Sequence, residues 1–321
     1  MGATQDGNFT LRGRLMSVQK MSHEEDLFKP GHRACPGCGA ALAIKYTLEA
    51  AGSNTIIVAP TGCMEVCTTP YPESAWGVSW IHNLFENAAA VASGIEAAYR
   101  AFQMKGKRGY MNHDDVNFIV FAGDGATFDI GTRSLSGMME RGHDVLYICY
   151  DNEAYMNTGV QRSGSTPYGA STTTSPPGRG SFGKDKMKKD MPAFAAAHGC
   201  KYIATATIGY PEDFKRKVRK ALKLKGPKYI QVLCPCPTGW HSKPEKTVKL
   251  GRLAVETGLY PVFEMEDGKV TDVRKPPERK PVEKYLELQG RFKHLFEMKG
   301  GDRIIKRIQE IADSNAERYG F

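Results

Sequence analysis

The sequence predicts a doubly wound, parallel α/β sheet, and three observations predict it. Asn117 to Ala122 (NFIVFA) is apolar and β-branched, as a strand buried on both faces must be. It runs straight into Gly123-Asp124-Gly125, which leaves a carboxylate at the C-terminal end of a strand, where open α/β sheets take their ligands. A second apolar strand, Asp144 to Tyr150, ends at Asp151-Asn152, and Asn152 lies one strand–helix–strand unit beyond Asp124.

The remaining elements follow the same alternation. Ala40 to Ala51 has helix composition, and Asn54 to Ala59 reads as a strand that ends at Thr61-Gly62-Cys63. Residues 70–82 (PYPESAWGVSWIH) read as a packed surface loop or as a wall of the ligand cleft. Asn83 to Gln103 reads as a long helix whose many alanines suit close packing against a partner or cofactor. Residues 158–190 are rich in Gly, Ser, Thr and Pro, and so long an irregular segment inside a compact domain is usually functional. Its opening, Thr158 to Gly164, is a candidate phosphate contact. Its closing lysines, Lys184, Lys186, Lys188 and Lys189, read as a solvated face, with a binding edge for an anion or an acidic protein as the alternative.

A helix (Met191 to His198), a strand (Tyr202 to Thr205), a helix (Pro211 to Leu224) and a strand (Lys228 to Leu233) complete the winding. Tyr260 to Val270 then reads as a β-hairpin turning at Asp267-Gly268, and Val282 to Tyr319 as helical, broken at Gly300-Gly301. The expected organisation is an N-terminal extension (1–30), an α/β domain that carries the site (31–250), and a C-terminal hairpin with a helical tail (251–321).

The chain has 321 residues, a net charge of +9 and eight cysteines. It contains no apolar run of about 18 residues and no apolar core near its start, so neither a membrane span nor a signal peptide is expected, and the expected location is cytoplasmic. Cysteines in such a chain point to metal or redox chemistry rather than disulfides. The positive charge favours anionic partners without choosing among them.

Two constellations carry the chemistry. Asp124 and Asn152, oxygen ligands on neighbouring strand ends, suit a magnesium ion bridging a diphosphate, with Gly123 and Gly125 letting the backbone approach it. Cys35 and Cys38 form a CxxC hook, and Cys63 lies at a strand end one helix and one strand further on. Cys67, Cys234 and Cys236 compete for a fourth place; Cys236, posed between prolines, is favoured. Cys149 and Cys200 read as core. One hook joined to two distant cysteines resembles an iron–sulfur cluster beside an active site more than a structural zinc.

Together GHRACPGCG, TGC, GDGATFDIG, YDNEAYMNTGVQRSGSTPYGA and CPCPTGW resemble the β subunit of 2-oxoacid:ferredoxin oxidoreductases, most of all the pyruvate-acting branch, over nearly the whole chain and in the expected order. The resemblance implies a thiamine diphosphate-binding domain of the diphosphate type, with Mg²⁺ and one [4Fe–4S] cluster. It would place Mg²⁺ on Asp124, Asn152 and the Ala154 carbonyl. The diphosphate would lie along Gly123, Gly125 and Ala126, and Asn157 would stand beside the thiazolium and substrate as the catalytic amide. Gly62, Cys63 and Thr158 would line the cofactor, and the cluster would sit on Cys35, Cys38, Cys63 and Cys236.

The implied reaction is oxidative decarboxylation of pyruvate with coenzyme A to acetyl-CoA and CO₂, with electrons passing to ferredoxin. The motif YMNTGVQ is more similar to pyruvate and branched-chain enzymes than to the 2-oxoglutarate type; oxalate and aryl 2-oxoacid enzymes are further alternatives. No glutamate is marked as the acid that activates the aminopyrimidine. The resemblance implies that an α subunit with the pyrimidine-side domain supplies it, within a complex that also holds γ and δ (ferredoxin-like) subunits. A redox-free thiamine decarboxylase with structural zinc and a basic nucleic-acid module are the readings set aside; no nucleic-acid or membrane partner is expected.

Overall fold

The computed structural model describes residues 26–106 and 116–321, so the expected extension over 1–30 lies almost wholly outside the described residues. In chain order the elements are α1 (Gly39–Ala51), β1 (Thr55–Pro60), α2 (Cys63–Thr68), β2 (Ser79–Asn83), α3 (Ala88–Met104), β3 (Asn117–Gly123), a π-helical turn (Gly125–Asp129), α4 (Thr132–Glu140) and β4 (Leu146–Asp151). A small hairpin follows, β5 (Pro177–Gly178) and β6 (Ser181–Phe182). Then come α5 (Met191–Ala197), β7 (Tyr202–Thr207), α6 (Pro211–Lys223), β8 (Lys228–Leu233), α7 (Pro237–Trp240), α8 (Thr247–Glu256), β9 (Phe263–Glu266), β10 (Lys269–Val273), α9 (Glu283–Leu286), α10 (Lys293–Glu297) and α11 (Gly301–Tyr319).

Eight strands form one sheet in the order β10-β9-β7-β8-β4-β3-β1-β2. From β7 to β2 all pairs are parallel, and the β9–β10 hairpin adds antiparallel to β7. Burial on both faces explains the unbroken apolar strands. Ile57, Ile119, Phe121 and Ile148 pack toward α1 and α6, while the alternate Val58, Val120, Ala122 and Tyr147 pack toward α3, α4 and α5. A third cluster under α8 and α11 includes Trp240, Leu250, Leu286 and Ile308. Asp267 (φ 45°) and Gly268 (φ 78°) are both left-handed, the geometry a two-residue hairpin loop requires.

Three readings change. Ser79–Asn83, read as loop and helix start, is an edge strand; it is only partly buried and lacks the continuous apolar signature of its neighbours. The alanine-rich helix therefore begins at Ala88. Residues 158–190 hold only the two-residue strands β5 and β6, yet Ser163, Ser165, Thr166 and Ala170 are fully buried. Part of this segment thus fills the interior, and Lys184 is buried with it, while Lys186 and Lys189 lie on the solvated face expected of them.

One buried charge outside the site gives a stability handle. Glu264 is inaccessible and accepts from Tyr202 Oη at 2.9 Å and Lys220 Nζ at 2.6 Å, with Arg216 at 2.6 Å. Burial raises its carboxyl, but Lys220, Tyr202 and Arg216 outweigh that and hold it below its ordinary 4.5. Its contribution is therefore present above about pH 4.5 and is lost as pH falls further. Glu264→Gln is expected to flatten the acid limb of the melting temperature against pH; an unchanged limb would show that Glu264 does not set it.

Candidate active site

The chemistry gathers at the C-terminal ends of four neighbouring strands, β8, β4, β3 and β1. These ends deliver Cys236, Asn152, Asp124 and Cys63 in turn. A pocket over them is walled by Gly62, Cys63, Gly123, Asp124, Gly125, Asn152, Ala154, Asn157 and Thr158. Ala126 lies just behind that wall, buried in the π-helical turn. Thr61, Phe85, Tyr150, Tyr155 and Met156 complete it. Sequence reasoning did not single these out, because aromatic and thioether walls carry no motif of their own. The Tyr155 ring lies so close over Gly125 that a Cβ there would stand 2.4 Å from it, so only glycine fits.

One terminal atom of the buried Asn152 amide stands 2.9 Å from both Asp124 Oδ1 and the Ala154 carbonyl oxygen. With nitrogen there, the amide donates to both. With oxygen there, three acceptors converge with no proton between them, and a cation is what can hold them together. Octahedral Mg²⁺ about 2.05 Å from its ligands sets adjacent oxygens about 2.9 Å apart. The two separations from Asn152, to Asp124 and to Ala154, match that spacing.

Charge beneath the pocket points the same way. Asp151 and Glu153, which flank Asn152, are buried. Lys188 Nζ donates to Asp151 at 2.6 Å and to Glu153 at 2.9 Å, and Arg291 donates to Glu153 at 2.6 Å. Arg291 also stacks 3.8 Å from the Trp240 ring centre, and Trp240 Nε1 donates to the Asn152 carbonyl at 2.8 Å. This network holds Glu153 at φ 69°, a left-handed conformation costly for any residue but glycine. Two cations here face three carboxylates, and the unbalanced one is Asp124. Burial, and then Asp151, push its carboxyl well above the usual carboxylate range. A divalent ion at the three-oxygen convergence would answer that charge. Lys188, which the sequence suggested as a solvated face or a binding edge, instead holds this network from within.

The cysteines converge beside the pocket. Cys63 lines it; the Gly39 amide, next to Cys38, donates to the Pro235 carbonyl, next to Cys236, at 3.1 Å, and the Arg33 amide donates to the Cys67 carbonyl at 2.7 Å. Among the described residues, no three His, Cys, Asp or Glu side chains stand close enough to hold one metal ion. Thiolates around a single zinc would lie about 3.8 Å apart, from Zn–S bonds of about 2.3 Å in a tetrahedron. Cys236 is half-buried beside the Gly239 amide, whereas Cys234 is fully buried and donates to the Val232 carbonyl. Cys149 and Cys200 are core, as expected. Burial pushes Cys63 up to about 12 and Cys236 to about 11.

Residues 60–232 match the family described as thiamine pyrophosphate enzyme, C-terminal TPP binding domain. The chain is 57% identical over 297 residues to a pyruvate synthase subunit PorB of Methanocaldococcus jannaschii, covering 92% of this chain and 97% of that one. It is 49% identical over 275 residues to a ketoisovalerate oxidoreductase subunit VorB of Pyrococcus abyssi, covering 84% and 86%. A 2-oxoglutarate:ferredoxin oxidoreductase from Magnetococcus marinus shares the fold, with a TM-score of 0.54 at 19% identity over 80% of this chain and 88% of that one. Among the described residues no helix is long and apolar enough to cross a membrane. The glycine-floored pocket on the strand ends, the thiols beside it and these likenesses lead to one assignment: the chain belongs to the 2-oxoacid:ferredoxin oxidoreductase family, as a β subunit of the pyruvate synthase type.

Proposed function

We propose that this chain is the β subunit of a pyruvate:ferredoxin oxidoreductase, which converts pyruvate and coenzyme A to acetyl-CoA and CO₂ and passes the electrons through a [4Fe–4S] cluster to ferredoxin. The observation that carries the reading is the convergence of the Asp124, Asn152 and Ala154 oxygens in a pocket that Cys63 also lines. Thiamine diphosphate, when bound, supplies an electron sink for decarboxylation. Asp124, Asn152 and the Ala154 carbonyl would hold its Mg²⁺, and the backbone of Gly123, Gly125 and Ala126 would run along the diphosphate. Gly62 and Thr158 wall the cofactor, and Asn157 stands in the same wall as Cys63, as the catalytic amide beside the thiazolium and substrate. Cys35, Cys38, Cys63 and Cys236 grip the cluster at the pocket's edge.

The wall contains one carboxylate, Asp124, and no glutamate. A committed metal ligand cannot also serve as the acid on the aminopyrimidine side. The chain is therefore half of a site, completed by an α subunit, with γ and δ subunits leading electrons away. Its +9 charge suits an acidic ferredoxin. The PorB likeness favours pyruvate; the VorB likeness keeps branched-chain 2-oxoacids as the second reading.

The test is anaerobic reconstitution with the partner subunits, followed by methyl viologen reduction with a panel of 2-oxoacids plus coenzyme A. Pyruvate is expected to give the highest kcat/KM, and the chain alone no turnover. Turnover by the single chain would refute the shared site, and preference for 2-oxoisovalerate would move the assignment to the second reading.

A further inference from the structure

Asp124 has two oxygens, and only Oδ1 faces Asn152. The other, Oδ2, accepts the Ser163 hydroxyl at 2.5 Å, across 39 residues of sequence. Ser163 is itself fixed. Its amide donates to Thr166 Oγ1 at 3.0 Å, and its hydroxyl accepts from the Ser165 amide at 3.1 Å. Lys184 Nζ donates to the Ser163 and Gly164 carbonyls, both at 3.3 Å. The same turn ties to the neighbouring strand end, where Ser165 Oγ donates to Asp151 Oδ1 at 2.5 Å and Thr166 Oγ1 to the Glu153 carbonyl at 2.7 Å. Ser163, Ser165 and Thr166 are all inaccessible. The hydroxyl thus occupies Oδ2 from a rigid mount.

We propose that Ser163 is a positioning residue that selects magnesium over calcium by holding Asp124 to a single ligating oxygen. The inference rests on the reading of Asp124, Asn152 and Ala154 as the cation site. Mg²⁺ demands near-ideal octahedral ligands, one oxygen per carboxylate, whereas Ca²⁺ accepts a carboxylate through both oxygens at 2.3–2.6 Å. Freed from Ser163, Asp124 can turn Oδ2 toward the ion, which suits the larger cation and spoils the geometry for the smaller.

The experiment uses the assembled complex with thiamine diphosphate and follows bound Mn²⁺ by electron paramagnetic resonance while Mg²⁺ or Ca²⁺ displaces it. Ser163→Ala is expected to weaken Mg²⁺ roughly 10- to 100-fold, as losing an outer partner of a metal ligand does, and to raise the Ca²⁺-to-Mg²⁺ affinity ratio by about tenfold. Ser163→Thr, which keeps the hydroxyl, retains the wild-type ratio, as does Ser165→Ala, which loosens the same turn at Asp151. An unchanged ratio in Ser163→Ala, or an equal shift in Ser165→Ala, overturns the proposal. Should Ser163→Ala not fold, Ser163→Cys, a weaker donor of similar size, carries the same expectation. Absence of Mn²⁺ binding in the wild-type complex would instead overturn the cation site itself.

Discussion

Asp124→Asn is expected to abolish magnesium-dependent binding of thiamine diphosphate while leaving the fold intact. The substitution keeps the shape and removes a carboxyl that its buried surroundings already disfavour as an anion. It also removes repulsion from Asp151, which helps push the Asp124 carboxyl upward. The unloaded protein should therefore melt no lower than wild type. What disappears is the rise in melting temperature that Mg²⁺ and cofactor produce together, because a ligand stabilises only the state that binds it. A loss of at least about 100-fold in affinity, roughly 2.7 kcal/mol, is expected by titration calorimetry. Wild-type affinity in this variant would remove Asp124 from the metal site.

The second large effect concerns the thiols. Cys236→Ala is expected to drop iron in the anaerobically purified complex well below the wild-type content, by as much as the roughly four iron atoms of one cluster. Cys234→Ala is expected to keep them and to act on stability alone, since that thiol is fully buried and donates to the Val232 carbonyl. Iron and sulfide analysis checks both variants. Full iron content in Cys236→Ala would transfer the fourth position to Cys67 or Cys234.

The parts of the site legible in the sequence are those whose chemistry lies on a strand end with its own short motif. Gly123-Asp124-Gly125 and Asp151-Asn152 are of this kind, since the strands that carry them announce themselves by continuous apolarity; the CxxC hook, in the loop before α1, shows by its spacing alone. The supporting residues are not legible, because they reach their partners across long stretches of chain. Ser163 meets Asp124 from 39 residues away, Lys188 meets Asp151 from 37, and Arg291 meets Glu153 from 138. Nothing local distinguishes such a lysine from a solvated one, which is why Lys184 and Lys188 read as surface. The edge strand Ser79–Asn83 escaped notice for the opposite reason, since half-exposed residues leave no burial pattern to read.

Strand order ties the two proposed groups together. Asn152 and Asp124, the proposed cation ligands, follow β4 and β3 at the centre of a row of four consecutive strands, and Cys236 and Cys63, two of the proposed cluster thiols, follow β8 and β1 on either side. The loops that would hold both groups thus spring from one hydrogen-bonded sheet, so displacing any of these strands would disturb the cation and the cluster together.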